Sequence, residues 1–416
     1  MLFRFSLYGF LKNQQYYDPF LILAFRERGL SFAVIGLLIG FREICINIME
    51  VPTGAIADVA GRRRSMIFSF LAYIVSFLTF AYAEPLWMLF AAMFFFSIGE
   101  AFRTGTHKAM IFDWLTRQGR AQEKTKVYGF TRSWSLIGSA VSVIVAGALV
   151  FHTNRYSSIF LLSIVPYTIN IINFLTYPSY LDGPKSESAN FRGVVRVLYR
   201  SFRDSIRNPS LRRLFLESMS FEGVFRVSKD YAQPVIKATA LSLPVLLGLA
   251  DRQRTAVLVG AVYLVLYLAS SYASRHAGTF VRRTGSEERG ARRLWWMQLA
   301  VFAVLAGALG LNRLIGGDGN AAPLAAAVLA FVALSIVENF WRPILVSRFA
   351  TQANPAQMAT VLSIESQAGS LFTAAVAPLL GLAVDVMPDQ LRFLPVGLLG
   401  VFVAGIVLAT GRGRQK

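Results

Sequence analysis

The stretch Gly54-Ala-Ile-Ala-Asp58-Val-Ala-Gly61-Arg62-Arg63-Arg64 decides how this chain is read. One apolar run, 31–52, ends just before it, and a second, 65–83, begins just after it. Runs of ~20 apolar residues are what a helix needs to cross a hydrocarbon core of ~30 Å. The stretch is therefore a short polar loop between two membrane spans. Gly54 and Gly61 let the chain turn and let neighbouring helices approach. Asp58 stands at a span end, where a carboxylate pairs with an Arg and accepts hydrogen bonds from a helix N-terminus.

Working outward, the rest of the chain repeats this pattern. It has 416 residues, 55% hydrophobic and 16% charged, with a mean hydropathy of +0.51. Apolar runs fall at 3–25, 31–52, 65–83, 86–112, 127–151 and 157–179, then at 212–236, 256–274, 293–312, 322–346, 357–383 and 393–411. The predicted fold is an all-α membrane protein of twelve transmembrane helices in two pseudo-symmetric six-helix halves, 1–179 and 212–416. The first run contains Lys12, Asn13, Gln14 and Gln15 and no compact apolar h-region, so it is expected to stay as a span rather than be cleaved as a signal. Between the halves, 180–211 is polar and basic. Within it Phe191, Val194, Val195, Leu198, Phe202 and Ile206 recur at helical spacing opposite Arg192, Arg196, Arg200, Arg203 and Arg207. That pattern predicts an amphipathic helix lying on a membrane surface.

Charge sets the orientation. Counting span ends with the loops, 26 of the 42 Lys and Arg fall on the side shared by both termini, against 8 opposite and 8 inside spans. Positive residues stay cytoplasmic, so both termini are expected in the cytoplasm. The net charge of +19 then faces anionic lipid headgroups. Basic residues dispersed among loops give no reason to invoke nucleic acid. Cys45 is the single cysteine, which excludes an intrachain disulfide and cysteine-based metal frameworks.

The halves echo each other. Glu100-Ala-Phe-Arg103 has a counterpart in Glu338-Asn-Phe-Trp-Arg342, and Tyr128 to Ser139 in the run from Val361. Gly278-Thr-Phe-Val-Arg-Arg-Thr-Gly285 is a degraded copy of the opening loop. Transporter folds are often such repeats, with the site at their interface.

The Gly54–Arg64 loop, in its place after the second span, resembles the loop signature of the major facilitator superfamily. Those proteins have twelve transmembrane helices and move solutes by alternating access. The resemblance implies that spans one, two, four, five, seven, eight, ten and eleven line a central cavity. It also implies a cytoplasmic gate at Gly54, Asp58, Gly61, Arg62 and Arg63, whose ion pair breaks when that side opens. The chain departs from the family pattern at Val59, where a basic residue is usual, and this bears on the partner of the latch.

Ionisable residues within spans mark function, because each costs at least ~2.5–3.5 kcal/mol at the bilayer centre. Glu100 with Arg103, Glu222 with Arg226, Arg226 with Asp230, and Glu338 with Arg342 have helical spacing for local pairs. Lys108 and Glu365 are expected near an interface, snorkelling. Lys12, Arg42 and Arg132 lack obvious local partners, and Tyr16 and Asn47 lie close to the first two in sequence. The expected solute-binding set is Lys12, Tyr16, Arg42, Asn47 and Arg132, opposed by Arg226 and Arg342. Such a set suits a small polar, anionic or zwitterionic organic solute, since Arg binds carboxylate or phosphate bidentately and Lys acts as a point charge.

No phosphate loop Gly-x-x-x-x-Gly-Lys-Ser/Thr is present, so a proton or sodium gradient supplies the drive. Glu100 is the leading coupling carboxylate, followed by Glu43, Glu50, Glu222 and Glu338. An enzyme is excluded by the absence of a His-Glu-x-x-His or Gly-x-Ser-x-Gly motif. Two other readings use the same fold. Drug export is disfavoured by Gly138-Ser-Ala where the export branch has a Gly-Pro-rich motif, and a lipid or lysolipid translocator needs an apolar track. The partners expected are the solute, the coupling ion and the bilayer of a cytoplasmic or plasma membrane, with no cofactor or metal and a monomeric state.

Overall fold

A computed structural model describes residues 1–104, 106–120, 123–182, 203, 207–315, 321–352 and 358–412. The apolar stripe expected between Phe191 and Ile206 lies outside the described residues. Among those described there are α-helices and short 3-10 turns, and no strand. The helices are α1 (Leu2–Lys12), α2 (Leu21–Glu27), α3 (Phe32–Ala60), α4 (Arg62–Tyr82), α5 (Leu86–Arg103), α6 (Thr106–Arg117), α7 (Lys124–Thr153) and α8 (Ser158–Leu175). They continue with α9 (Pro209–Lys229), α10 (Ala232–Ser242), α11 (Asp251–Thr284), α12 (Glu287–Ile315), α13 (Ala322–Gln352), α14 (Met358–Val386) and α15 (Leu394–Arg412).

Among the described residues, ten stretches of helix are long and apolar enough to cross a membrane. The expected spans one and seven are not among them, for separate physical reasons. Span one is interrupted between α1 and α2: α1 ends at Lys12 before the polar run Asn13-Gln14-Gln15, and helix resumes only with the 3-10 turn Asp18–Phe20, where Pro19 needs no N–H. Span seven is heavily charged along α9, then restarts as α10 with Pro234 in its first turn, where a missing N–H costs nothing. Span four also differs from the single helix expected over 86–112. Thr104 is extended, with φ −60° and ψ 127°, and separates α5 from α6.

Local chemistry accounts for several helix ends. Asn208 caps α9 by accepting from the Ser210 and Leu211 N–H groups, with Pro209 at the first helical position. Asn154 and Gly285 end α7 and α11 in left-handed conformation, at φ 52° and 81°.

By contacts the chain divides into two units. Unit 1 is Met1–Asp18 with Phe41–Val197, and unit 2 is Pro19–Gly40 with Leu198–Lys416. The packing inside them is parallel. In unit 1, α1 packs on α7 and α8, and α4 packs on α5 and α8. In unit 2, α9 packs on α14 and α15, and α12 packs on α13 and α15. The echo between Glu100 and Glu338 motifs is thus matched by the partners of the helices that carry them, α5 and α13.

Each unit has an aromatic core. In unit 1, Tyr73, Phe77 and Tyr167 are nearly or fully buried against one another, with ring centroids 5.0–6.2 Å apart. In unit 2, Phe221 stacks on Trp341 at 4.0 Å. Small residues set the closest helix approaches. A Cβ on Gly138 would lie 2.4 Å from the Phe10 carbonyl oxygen, so α1 and α7 touch backbone to backbone. In unit 2 a Cβ on Gly381 would lie 2.2 Å from the Phe32 carbonyl oxygen. One turn further on, Asp385 accepts the Phe32 and Ala33 N–H groups at 3.0 and 2.7 Å, which supplies the acceptors that the start of α3 lacks.

Candidate functional site

The close approach of α1 to α7 opens, at their polar ends, onto a cavity of about 350 Å³ within unit 1. Lys12, the last residue of α1, lines it with Arg103 from the end of α5, Lys108 from α6 and Arg132 from α7. Tyr8, Asn13, His107, Tyr128, Thr131 and Ser135 supply polar groups to the same wall. His107 is buried against Tyr8 at a ring distance of 3.8 Å, and its Nε2 has no hydrogen-bond partner among the described residues. Four basic side chains thus meet in one concavity.

The single carboxylate beside them is already engaged. Glu100 accepts from Arg103 and from the Tyr73 hydroxyl, and Arg103 Nε donates back to Tyr73 Oη at 3.3 Å. The expected local pair Glu100–Arg103 is present, reinforced by a buried tyrosine from α4. Sequence reasoning brought Lys12 and Arg132 forward but left out Arg103, His107, Lys108 and Tyr8 as cavity residues. The Tyr8/Lys12 and Arg103/His107 spacings of four were the available signal.

Other residues expected in the solute set lie elsewhere in the contact pattern. Arg42 donates to its neighbour Glu43 at 2.7 Å and lies 5.8 Å from the Phe96 ring centroid. Asn47 returns its amide to the Glu43 carbonyl at 3.0 Å, a bond within its own helix. Tyr16 is buried. Glu50 offers its carbonyl to Thr53.

The stretch expected as a loop is instead helical up to Ala60 and again from Arg62, with Gly61 as the single break, and it has an anchor that its own residues did not reveal. Gly61 breaks the chain between α3 and α4 at φ 97° and ψ 142°, a region open to glycine and strained for other residues. Beside it, Asp182 accepts the Arg63 N–H at 3.0 Å, and its other oxygen lies 3.9 Å from Arg63 Nε. Arg63 also donates to the Tyr177 carbonyl at 2.9 Å. The carboxylate therefore caps α4 and pairs with one of the three loop arginines at once. The side chain of Asp58 lies outside what is described, and among the described residues nothing lies within 4 Å of where a Cβ on Gly54 would stand.

Unit 2 holds a second concentration of charge. Arg342 donates through one nitrogen to Glu222 Oε1 at 2.7 Å and to Glu365 Oε2 at 2.8 Å. Arg226 donates to Glu222 Oε2 at 3.3 Å, and Ser218 donates to Glu365 Oε1. Glu222 and Glu365 are 3% and 2% exposed. Glu365 is consequently no snorkelling residue at an interface, as expected from its sequence position, but a buried member of this cluster. Arg342 turns to those two carboxylates rather than forming the expected pair with Glu338, and Asp230 pairs with Lys229 at 2.9 Å rather than with Arg226. Glu338 is partly buried, and its Oε2 has no hydrogen-bond partner among the described residues.

The comparisons agree on what such an assembly is. A family model described as Major Facilitator Superfamily matches residues 10–364. No curated protein matches the chain by sequence. Among solved structures, it is similar to the nucleoside transporter NupG, with 13% identity over 99% of each chain and a TM-score of 0.78. It is also similar to a POT family transporter in complex with 5-aminolevulinic acid, with 15% identity over 100% of this chain and 96% of that one and a TM-score of 0.71. A D-xylose-proton symporter matches with 13% identity over 98% and 96%, at a TM-score of 0.70. At those identities the likeness is one of fold. Spans, internal repeat, loop and family match converge: this chain is an integral membrane protein and belongs to the Major Facilitator Superfamily.

Proposed function

We propose that the chain is a proton-driven carrier of a small organic anion or zwitterion, working by alternating access. The observation that carries the reading is the cavity in unit 1, where Lys12, Arg103, Lys108 and Arg132 line about 350 Å³ and the one carboxylate paired to them, Glu100 on Arg103, stands outside the lining. Small-molecule sites span ~300–1,000 Å³, so the solute is at the small end. A carboxylate or phosphate ester would take the forks of Arg103 and Arg132 and the point charges of Lys12 and Lys108, with His107 Nε2 free to complete the shell. The POT family transporter in complex with 5-aminolevulinic acid and the D-xylose-proton symporter offer precedents for a small polar solute and for a proton on this fold. The carrier is read as a monomer in a cytoplasmic or plasma membrane, with both termini cytoplasmic. Support for that orientation is the 26-to-8 distribution of basic residues.

The test is a thermal-shift screen on detergent-purified protein with carboxylates, phosphate esters, nucleosides, sugars, dipeptides and hydrophobic cations. A ligand that binds only the folded state raises the midpoint in proportion to RT ln(1 + [L]/Kd). Anions are expected to give the largest shifts, and Lys12→Gln or Arg132→Gln to lose them while keeping the unliganded midpoint. Neutral sugars or hydrophobic cations as best ligands would refute the assignment. One observation favours a second reading. An apolar groove of about 470 Å³, lined by Leu2, Phe3, Leu7, Phe10, Phe130 and Trp134, runs along the same two helices, α1 and α7. A lysophospholipid would place its headgroup among the cations and its chain there, and a lysolipid arm in the screen distinguishes it.

A further inference from the structure

Unit 2 has a cavity of about 260 Å³ where α9 and α12 begin and α13 and α15 end. Its lining sets four arginines, Arg213, Arg289, Arg292 and Arg348, against two carboxylates, Glu217 and Glu288. Both carboxylates are engaged. Arg348, 4% exposed, donates to the two oxygens of Glu288 at 3.0 and 2.8 Å and to one of Glu217 at 2.9 Å. Arg213 donates to the other oxygen of Glu217 at 2.8 Å. This network ties the ends of α9, α12 and α13 together and leaves the lining with two positive charges in excess. Arg289 and Arg292 are both exposed. The spans fix the depth of the cavity. The span in α12 starts at Glu287, and those in α13 and α15 stop at Gln352 and Thr410. Arg348, Val407 and Leu408 lie within about one turn of those ends, and Arg289 and Arg292 within about two turns of Glu287. Trp296, 43% exposed, lines the same cavity, and tryptophan is enriched where spans meet headgroups. Val407 and Leu408 give it an apolar wall on α15. Beyond it α12 and α15 stay packed together and expose Val304, Phe402 and Ile406.

We propose that this cavity binds the phosphodiester headgroup of an anionic phospholipid, with Arg289 and Arg292 as its contacts and the acyl chains lying along α12 and α15. The site is separate from the solute cavity of unit 1, and the inference depends neither on the solute nor on what drives transport. A phosphodiester matches the guanidinium forks, which hold two of its oxygens at once. Inorganic phosphate would meet the same forks but would leave Trp296, Val407 and Leu408 unused. The volume points the same way, since it falls just below the ~300–1,000 Å³ that soluble ligands fill. A headgroup needs less, because its chains remain outside in the bilayer. On the orientation proposed above, the cavity faces the cytoplasmic leaflet, whose anionic lipids attract basic residues close to the surface. Basic loops elsewhere attract that leaflet diffusely. Here the charge, the tryptophan and the apolar wall share one concavity, and Arg348 with its two glutamates holds the wall in place as a positioning residue.

Titrating dioleoylphosphatidylglycerol into the detergent-purified protein tests the site without any solute, with native mass spectrometry and the melting midpoint as readouts. Wild type should retain phosphatidylglycerol more tightly than phosphatidylcholine and melt at a higher temperature with it bound. An arginine close to anionic lipid is worth about fivefold in binding, so Arg289→Gln/Arg292→Gln should bind about 30-fold more weakly and keep the midpoint of the lipid-free protein. Arg282→Gln/Arg283→Gln removes two exposed arginines that lie outside the lining and should bind like wild type. Equal losses in the two pairs, or phosphatidylcholine held as well as phosphatidylglycerol, would reduce the site to diffuse attraction and overturn the proposal. Inorganic phosphate or glycerol phosphate that raises the midpoint as far as the lipid does would make the ligand a soluble anion and overturn the lipid assignment. If the double variant melts early before lipid is added, Arg292→Gln alone decides: a loss of about fivefold supports the site, and wild-type affinity refutes it.

Discussion

Asp182 offers a quantitative test of how the opening loop is held. Its carboxylate does two things that substitution can separate: one oxygen accepts the Arg63 N–H at 3.0 Å, and the other faces Arg63 Nε at 3.9 Å. Losing a helix-capping acceptor costs about 0.5–2 kcal/mol. The ion pair is long and partly solvated, with side chains 26% and 10% exposed, so about 0.2–1 kcal/mol is the range for it. Asp182→Ala loses both and should destabilise by about 0.7–3 kcal/mol, a change of roughly 3- to 160-fold in the folded-to-unfolded ratio. Asp182→Asn keeps an oxygen that caps α4 and should cost only about 0.3–1 kcal/mol, roughly 2- to 5-fold. Arg63→Gln keeps the backbone N–H that is capped and should match Asp182→Asn. Equilibrium unfolding in mixed micelles, followed by tryptophan fluorescence, measures all three. If Asp182→Asn is as damaging as Asp182→Ala, the charge and not the cap holds the loop. If Asp182→Ala is indistinguishable from wild type, the anchor contributes nothing and the reasoning fails.

Further expectations follow from the same geometry. Gly61→Ala forces a side chain into the φ 97° region and should cost about 1–3 kcal/mol in the same unfolding assay. Gly138→Val pushes a side chain into the Phe10 backbone and should destabilise by about 1–3 kcal/mol or more, seen as a lowered melting midpoint. Asp58→Asn, argued from the loop motif, should slow transport in vesicles at unchanged membrane abundance; a wild-type rate would reduce the loop to a topology signal. In a Cys45→Ser background, Gln118→Cys should react with an impermeant thiol reagent only from the cytoplasmic side and Leu247→Cys only from the outside. The opposite pattern would invert the orientation.

Much of the architecture was legible before any coordinates. The length of the apolar runs follows from bilayer thickness, and the loop charges follow from positive-inside orientation, so both are written along the chain. Twelve spans, two repeats and the special place of Gly61 could be read that way. The interruption of span one falls at the polar residues after Lys12, where hydropathy averages over a local break and the apolar run reads as one continuous helix.

Partners were a different matter. Helical spacing pointed to Glu338 for Arg342, and to Asp230 for Arg226, because one helix shows only its own neighbours at three and four residues. The guanidinium of Arg342 instead satisfies Glu222 and Glu365 on two other helices, and Arg63 finds Asp182 at a sequence distance of 119 residues. Glu365 looked like an interfacial residue until α9 and α13 were seen to cover it. Arg103, His107 and Tyr8 joined Lys12 and Arg132 only once α1, α5, α6 and α7 converged. Residue type, span length and loop charge are properties of the chain in one dimension, and solvent transfer alone determines them. Which buried charge neutralises which depends on side chains from separate helices meeting in a low-dielectric space, and only the packed structure decided that.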